Sequence, residues 1–555
     1  MSTTMHDIVI KGGLVIDGTG APGVLADVAI TGDRITAIGD DLAGLRQLDA
    51  TGQVVSPGFI DIHTHYDAQV FWDRALTPSC FHGVTTVIAG NCGFSIAPCR
   101  PQDRGLIART LEKVEDMNVA SLEAGIVWEF ETFPEYLDTI RRRGVGLNFG
   151  CYIGHTALRI YAMGDAASER AATPDEIDRM RAMVSEAMDA GAIGIATSML
   201  PTHQGADGRP IPSRYAHQEE LEALLEMLRD AGRGIAALTL GSEHMSTAAM
   251  YELQRRIGRP FTYTALLTNP NGSHMYLSKL NAAECANGAD VWPQMTPRPV
   301  VFQVTMAEPF SFNVSAPFAA LMAEPVSVRL ERYADPSWRA QAVVALDAGK
   351  LPPRWDTFIV GESSAHPDLM GRMVSDLAEE QGVHSLDIMC ALAIDDNLTT
   401  RFTVVLANDD EDGIRHLLTQ DHLTLGLSDA GAHVGQICDA PQATDLLGNW
   451  VRQRGALSVE QAVRKLSGQQ ADILGLADRG YVRTGAFADL VVFDPATVGP
   501  GPTRRVRDFP ADAERLTADA PIGVTHVLVN GIPIRVDGVQ VTDNAVMAGR
   551  VVSPA

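Results

Sequence analysis

The 555-residue sequence predicts an α/β fold, a (β/α)8 TIM barrel accompanied by a small β-sandwich built from both chain termini. Three observations predict it. Short alternating strands occupy both ends of the chain, eight apolar strand-like runs separated by helical segments fill the middle, and His, Cys or Asp ends three of those runs. Hydrophobic residues make up 46% of the chain and the mean hydropathy is +0.02, which indicates a large buried core.

Both ends of the chain have the pattern of antiparallel β structure, with Gly and Asp at the turns. The predicted strands there are 7–17, 27–39, 488–494 and 524–534. Gly531 lies at a hairpin turn in the last of them. Because these segments flank a long middle, we expect one sandwich assembled from residues 1–57 and 479–555.

The middle of the chain, residues 58–478, alternates strand-like runs with amphipathic helices such as 174–190 and 218–231, which favours parallel βα units. The eight predicted strands are 58–65, 84–92, 146–154, 193–199, 234–240, 261–267, 290–296 and 423–429. A barrel of this kind forms its active site at the carboxyl ends of its strands. Residues 300–419 are too many for a plain loop, and we expect an inserted helical element that covers the barrel mouth.

The run Gly58-Phe-Ile-Asp-Ile-His-Thr-His65 places two histidines at the end of the first predicted strand. Side chains two residues apart point to the same face of a strand, so His63 and His65 converge on one point outside the sheet. Converging imidazoles are typical ligands of a divalent metal. A bare His-X-His pair is more often structural, so the metal interpretation depends on ligands from elsewhere in the chain.

Two further predicted strands end in possible ligands, Cys92 in Gly90-Asn-Cys-Gly93 and Asp429 in Gly426-Leu-Ser-Asp429. Strands one, two and eight are neighbours in a closed eight-strand barrel, so these side chains can meet the two histidines over its axis. Alone, Cys92 is interpreted as a small buried hydrophobe and Asp429 as a helix cap. Together, two imidazoles, a thiolate and a carboxylate predict a borderline cation, Zn²⁺.

Several motifs spread along the chain carry a family resemblance. They are Ser56-Pro-Gly-Phe-Ile-Asp-Ile-His-Thr-His-Tyr-Asp67, Gly83-Val-Thr-Thr-Val-Ile-Ala-Gly-Asn-Cys-Gly-Phe94, Gly154-His-Thr-Ala-Leu-Arg159, Ala190-Gly-Ala-Ile-Gly-Ile195, Ser428-Asp429 and Gly485-Ala-Phe-Ala-Asp-Leu-Val-Val-Phe-Asp494. On these motifs the chain resembles the amidohydrolase superfamily, specifically its D-aminoacylase (N-acyl-D-amino-acid deacylase)-like branch.

The resemblance implies a barrel of the metal-dependent hydrolase type and cleavage of an amide by metal-activated water. It makes His63, His65, Cys92 and Asp429 metal-site positions. It also implies that Asp429 is the general base, which takes a proton from water and later gives it to the leaving nitrogen.

The sequence departs from the branch where a second metal ion would bind. Members usually place one histidine after strand five and another after strand six. Those positions hold Leu238 or Thr239, and Ala265, while Leu267 replaces a lysine that often follows. None of these side chains binds zinc well, so we predict one Zn²⁺ ion rather than two.

Nearby histidines are candidates for a substitute metal ligand. His244, five residues past the end of strand five, is the first candidate, with His217 and His274 behind it. Each of the three is alternatively a loop histidine without a metal.

Other residues are predicted to act on the substrate. His155, after strand three, is a candidate catalytic donor, or else a packed loop histidine. Arg298, past strand seven, is a candidate clamp for a substrate carboxylate, or else a member of an ion pair. His433 is a candidate pocket residue, or else part of a helix start. Tyr66 and Asp67 are expected to orient the neighbouring ligands.

Composition limits the classes of partner. The formal net charge of −25 argues against nucleic acid or an anionic membrane. No stretch approaches the roughly 18 apolar residues of a membrane span, and the first residues do not have the pattern of a secretion signal. The seven scattered cysteines suit reduced thiols, so we expect a cytoplasmic location.

We therefore predict a zinc-dependent hydrolase of carbon–nitrogen bonds other than peptide bonds, acting on a small-molecule linear amide such as an N-acyl amino acid. Two alternatives stay open. One is a deaminase or cyclic-amide hydrolase on the same one-metal barrel, and the other is a catalytically silent binding scaffold. The acyl group, a D or L preference and assembly as a homo-oligomer are left open.

Overall fold

The computed structural model describes residues 5–205, 208–241, 246–309, 312–313, 315–322, 324–349, 352–541 and 547–555. The chain divides into two units. The first comprises Met1–Arg298, Asp410–Val434 and Cys438–Ala555, and the second comprises Pro299–Asp409 and Gly435–Ile437.

The described chain begins and ends in runs of strands, and from residue 84 to residue 286 each strand is followed by one or more α-helices. In chain order the strands are β1 (Met5–Val15), β2 (Val24–Thr31), β3 (Arg34–Gly39), β4 (Ala43–Asp49), β5 (Val54–Pro57), β6 (Phe59–Asp61), β7 (Val84–Ala89), β8 (Asn148–Gly154), β9 (Gly194–Ser198), β10 (Ile235–Thr239), β11 (Phe261–Thr264), β12 (Val291–Met295), β13 (Val300–Thr305), β14 (Ile359–Glu362), β15 (Arg401–Ala407), β16 (Thr424–Leu425), β17 (Leu490–Phe493), β18 (Arg504–Phe509), β19 (Ala513–Thr517), β20 (Val524–Val529), β21 (Ile532–Val536) and β22 (Val539–Gln540). The helices are α1 (Arg104–Glu115), α2 (Val119–Gly125), α3 (Phe133–Arg143), α4 (His155–Met163), α5 (Pro174–Ala190), α6 (Gln218–Ala231), α7 (Thr247–Ile257), α8 (Ser273–Ala286), α9 (Ala316–Leu321), α10 (Val326–Ala334), α11 (Pro336–Asp347), α12 (Val374–Gln381), α13 (Ser385–Asp395), α14 (Glu411–Leu418), α15 (Gln442–Asp445), α16 (Val459–Leu466) and α17 (Gly468–Leu474). A bilayer crossing would need a longer and more apolar helix than any formed by the described residues.

Eight parallel strands form the barrel of the first unit, in the order β6-β7-β8-β9-β10-β11-β12-β16. The segments after its first and last strands also meet, because the backbone N–H of His65 donates to the carbonyl of Ala430 at 2.8 Å. Each of the eight predicted strands contains one of these strands. The predicted TIM-barrel fold class is therefore confirmed.

Helix α5 shows how residues at the helix ends make helix bounds predictable from this sequence. The Thr173 side chain accepts the backbone N–H of Glu176, whose side chain accepts the N–H of Thr173, and Pro174 occupies the first turn. The helix ends at Gly191, whose φ of 105° lies in the left-handed region. Its observed bounds are those predicted from amphipathicity.

Strands from both chain ends form one nine-stranded sheet, in the order β22-β21-β20-β17-β5-β1-β2-β3, with β4 paired to β1. Strand β5 pairs antiparallel with β17, with Val55 opposite Val492, so the two ends of the chain are joined at this point. Both side chains are fully buried in a core that the two ends share. The domain boundaries at residues 57 and 479 stay predictions.

The second unit contains helices α9 to α13 and a three-stranded antiparallel sheet in the order β13-β15-β14. Aromatic side chains such as Phe312, Phe318 and Tyr333 fill its core. The predicted insertion at 300–419 therefore contains a sheet in addition to the predicted helices. Its position over the barrel mouth stays a prediction.

Candidate metal centre

Three of the predicted ligands lie close together at the carboxyl ends of neighbouring barrel strands. The ligand atoms of His63, His65 and Cys92 all lie within 4.8 Å of one another. Oδ1 of Asp429 lies 3.1 Å from Nε2 of His63 and 3.7 Å from Nε2 of His65. The structure thus brings the four predicted metal ligands into one cluster.

The turn after β7 aims the thiol of Cys92 at the two histidines. Gly90 adopts a φ of 81°, and a Cβ atom at this position would lie 2.4 Å from the carbonyl oxygen of Tyr152. The side-chain amide of Asn91 donates to the carbonyl of Thr64 at 3.2 Å and so ties the turn to the His-Thr-His segment. Gly90 and Asn91 therefore both shape the turn that carries Cys92.

Asp429 is the exposed member of the cluster. Its side chain is 26% exposed, whereas that of His63 is 1% exposed. The hydroxyl of Ser428 donates to the carbonyl of His63 at 2.9 Å, which holds the segment after β16 against the segment after β6. A carboxylate placed in this way can contact both a bound cation and a substrate that enters from solvent.

Gln294, at the end of β12, orients His63. Its side-chain oxygen lies 2.6 Å from Nδ1 of His63. Because a carbonyl oxygen only accepts, Nδ1 carries the proton and Nε2 presents its lone pair to the cluster. Gln294 is not among the predicted site residues, although its place at the end of a barrel strand was a usable signal.

Glu115, the last residue of α1, lies behind His65. Its Oε1 lies 3.5 Å from Nδ1 of His65, and its Oε2 lies 3.8 Å from Nε2 of His433. Burial raises the pKa of Glu115 to about 7, although the charge of His65 opposes the shift. Nothing in the sequence pointed to Glu115, because one acid on an amphipathic helix is ordinary.

The electrostatics of the cluster favour its anionic ligand forms. Burial alone would raise the pKa of Cys92, but the imidazoles of His63 and His65 outweigh it and lower that pKa to about 6. Against burial, the same imidazoles hold the pKa of Asp429 well below its ordinary value. Two imidazoles, a thiolate and a carboxylate form a donor set that fits Zn²⁺.

The positions of a second ion hold other groups. The hydroxyl of Thr239, at the end of β10, donates to Sγ of Cys92 at 3.3 Å, and Leu238 is buried. The hydroxyl of Thr264 lies 3.5 Å from Nδ1 of His63, and Ala265 follows it. A hydroxyl and a methyl group thus belong to the two positions at which the family resemblance predicts imidazoles, and the number of bound ions stays a prediction.

His155 is bound within the protein and lies outside the cluster. Its Nδ1 lies 2.8 Å from the hydroxyl of Thr197, and its Nε2 lies 2.9 Å from Oε1 of Glu220. Arg159 binds the same carboxylate. Both ring nitrogens therefore have protein partners, and these contacts do not support the predicted donation to substrate.

Arg298 is neutralised by protein carboxylates. Its Nε donates to Asp439 at 2.7 Å, and its Nη1 lies 3.5 Å from Asp445. The ion-pair alternative therefore describes its contacts better than the predicted substrate clamp does.

Three of the remaining four histidine candidates lie in the described part of the chain. His244 lies outside the described residues. His217 precedes α6 and is exposed, and Nδ1 of His274 accepts the backbone N–H of Asn269 at 3.4 Å. Nε2 of His433 lies 3.8 Å from Oε2 of Glu115, and its role in binding substrate stays a prediction.

The two residues after the His-Thr-His segment support the site from behind. The hydroxyl of Tyr66 is 2.8 Å from that of Ser79, and the carboxylate of Asp67 accepts the N–H of Gly90 at 3.0 Å. Asp67 thus holds the turn that carries Cys92.

Comparison with known proteins agrees with this geometry. The sequence matches the amidohydrolase family over residues 46–535. It is 31% identical to the D-aminoacylase of Alcaligenes xylosoxydans xylosoxydans over 532 residues, which cover 95% of this chain and 94% of the relative.

Two solved structures resemble this chain over nearly its whole length. The crystal structure of a D-aminoacylase superposes with a TM-score of 0.66 at 30% identity, covering 99% of this chain and 100% of the other. The N-acyl-D-glutamate deacylase from Bordetella bronchiseptica, solved with zinc and a phosphonate inhibitor, superposes with a TM-score of 0.64 at 25% identity, covering 99% of each chain. The resemblance inferred from the motifs is confirmed: the chain belongs to the amidohydrolase family, in its D-aminoacylase-like branch.

Proposed function

We propose that this protein is a metal-dependent hydrolase that cleaves the linear amide bond of an N-acyl amino acid or a related N-acyl compound. The observation that carries the proposal is the meeting of His63, His65 and Cys92 within 4.8 Å, with Asp429 beside both imidazoles. Full-length similarity to deacylases of N-acyl-D-amino acids supports the choice of substrate class.

His63, His65, Cys92 and Asp429 would hold one divalent cation, and we propose Zn²⁺. A cation in such a site supplies Lewis acidity, which makes water nucleophilic near neutral pH and polarises a carbonyl. Thr239 and Ala265 support a single ion, because neither offers a good zinc ligand.

The chain's own residues would move the proton. Asp429 is exposed enough to reach solvent, so its carboxylate can take a proton from the attacking water and return it to the leaving nitrogen. Gln294 and Glu115 would keep His63 and His65 in fixed orientations during this transfer.

The test is a panel of N-acyl-L- and N-acyl-D-amino acids assayed for release of the free amino acid, with zinc measured in the same sample. We expect about one zinc per chain, and hydrolysis that Cys92→Ala abolishes together with the metal. Cys390→Ala is the matched control, because Cys390 is also buried but lies in the second unit.

Other outcomes would select the alternatives. Ammonia released from amino-heterocycles, or opening of cyclic amides, without hydrolysis of N-acyl amino acids would favour a deaminase or cyclic-amide hydrolase. Absence of stoichiometric metal, with no effect of Asp429→Asn on any activity, would favour a binding scaffold.

We also infer a cytoplasmic location and a small-molecule substrate rather than a nucleic acid. All seven cysteines are free thiols, which supports a reducing compartment, and the formal net charge is −25. Cell fractionation with an antibody to the protein would test the location.

A further inference from the structure

The loop after β9 brings a histidine to the edge of the candidate metal centre. Nδ1 of His203 lies 2.8 Å from the hydroxyl of Ser198, the last residue of β9. The His203 ring packs beside that of Phe94, with ring centroids 5.4 Å apart. Because Phe94 follows Cys92 by two residues, His203 lies next to the turn that carries the thiol.

The bond to Ser198 selects one tautomer of His203. The Ser198 hydroxyl already accepts the backbone N–H of Leu200 at 3.2 Å, so its own proton is available for donation. Donation to Nδ1 of His203 satisfies both groups and leaves the ring proton on Nε2. Ser198 is fully buried, so no solvent competes for this hydroxyl.

Within the described part of the chain, the Nε2–H group of His203 is available to donate to another molecule. Among the residues that the structure describes, no hydrogen-bond partner contacts Nε2, and the residue is partly exposed. Burial, aided by the nearby imidazoles of His433 and His65, lowers the pKa of His203 to about 3. The ring therefore stays neutral, with its donor in place, at the pH of a cell.

A neutral hydrogen-bond donor suits the acyl oxygen of an amide better than it suits a substrate carboxylate. A carboxylate, which carries full charge before reaction, is usually bound by Arg or Lys. The acyl oxygen of an amide gains its charge only while the carbonyl is attacked, and a neutral N–H held in place stabilises that charge without prior cost.

Resting on the proposed function, we propose that His203 donates its Nε2–H to the acyl oxygen of the substrate and stabilises the negative charge that develops there. His203 would then be a further catalytic residue, contributed by strand four of the barrel, opposite the general base from strand eight. Ser198 would be a positioning residue that acts through it.

The test compares His203→Phe with His203→Gln. Phenylalanine keeps the ring beside Phe94 but has no donor, whereas the glutamine amide places an N–H near the original Nε2. We expect His203→Phe to lower kcat about 100-fold with little change in KM, and His203→Gln to recover at least about a tenth of wild-type kcat. The zinc content of both variants should equal that of the wild type.

A second readout does not depend on turnover. A phosphonate analogue of an N-acyl amino acid imitates the charged tetrahedral state, and His203→Phe should weaken its binding by a factor close to the loss in kcat/KM. The control variant is His422→Phe, because His422 also packs beside an aromatic ring, Trp292, but lies on the exposed segment before β16. It should leave both measurements unchanged.

The outcomes separate the two proposals. An active wild type with unchanged kcat and phosphonate affinity in His203→Phe would overturn the role of His203 and leave the proposed function intact. A rise in KM alone would show contact with the ground state and would also overturn the assignment to the acyl oxygen. A wild type that carries zinc but hydrolyses no N-acyl compound would overturn the proposed function, and this inference with it.

Discussion

Oε1 of Gln294 lies 2.6 Å from Nδ1 of His63, across the barrel sheet from strand seven to strand one. This contact leads to a first prediction. Gln294→Leu should weaken zinc binding by about 10- to 100-fold, because His63 loses the acceptor that fixes its ring. Gln294→Glu keeps an acceptor oxygen and should bind zinc more tightly than the leucine variant. Competition with a chromophoric chelator measures both, and equal affinities in the two variants would contradict the orienting role.

A second prediction concerns the number of metal ions. The hydroxyl of Thr239 contacts Sγ of Cys92, so a longer ligand at this position would reach the thiolate. The double variant Thr239→His, Ala265→His should raise the zinc content from about one to about two ions per chain. Elemental analysis after dialysis measures the ratio. A wild type that already holds two ions would show that other groups replace the missing imidazoles.

A third prediction concerns the proposed general base. Asp429→Asn should lower kcat by about 100-fold or more while much of the zinc is retained, because His63, His65 and Cys92 stay in place. Single-turnover hydrolysis with parallel zinc analysis separates the two effects. Asp508→Asn, at a half-exposed ion pair with Arg515, is the control and should leave kcat unchanged.

A fourth prediction concerns acid stability. Glu220 is buried between His155 and Arg159, and although burial opposes the shift, these partners lower its pKa from 4.5 to about 2. Because the folded-state pKa is the lower one, the ionised carboxylate stabilises the fold above about pH 4.5, and this contribution is lost as the pH falls from 4.5 toward 2. Glu220→Gln should therefore cost about 3–5 kcal/mol at neutral pH and progressively less in acid.

Urea denaturation between pH 2 and pH 7, which spans this window, measures the loss of unfolding free energy, where a shift of one pKa unit corresponds to about 1.4 kcal/mol. Glu380→Gln breaks an exposed pair with Arg372 and should change nothing measurable. An equal effect of the two substitutions would show that burial does not matter at Glu220.

Much of the fold followed from local patterns. All eight barrel strands were predicted because buried parallel strands are short apolar runs between helices with clear caps, as in α5. The sheet of the second unit was not predicted, because its strands, such as β13, are only partly buried and pair with strands far away in the sequence.

The candidate site was predictable where ligands end barrel strands and less so elsewhere. His63, His65, Cys92 and Asp429 are each fixed by a strand end, and the topology decides that they meet. Glu115 arrives from a helix, and its place behind His65 depends on tertiary packing that spacing does not encode.

Tertiary packing also explains why some residues have contacts that do not match their predicted roles. A polar side chain near a strand end can turn toward the pocket or toward its neighbours, and His155 and Arg298 both bind protein carboxylates instead. Glu220 and Asp439 can be read in the sequence, but the packing that brings them against His155 and Arg298 cannot be predicted from it.

The pairing of β5 with β17 has a consequence for biosynthesis. Ribosomes make Pro57 early and Leu490 near the end of translation, so the edge of β5 that faces β17 has no partner for on the order of a minute while the nascent chain grows. Val54 and Val55, fully covered in the finished protein, are exposed to water and to other nascent chains during that interval. Chaperone demand during expression should therefore depend on this late closure, which comes after the last barrel strand, β16, has emerged.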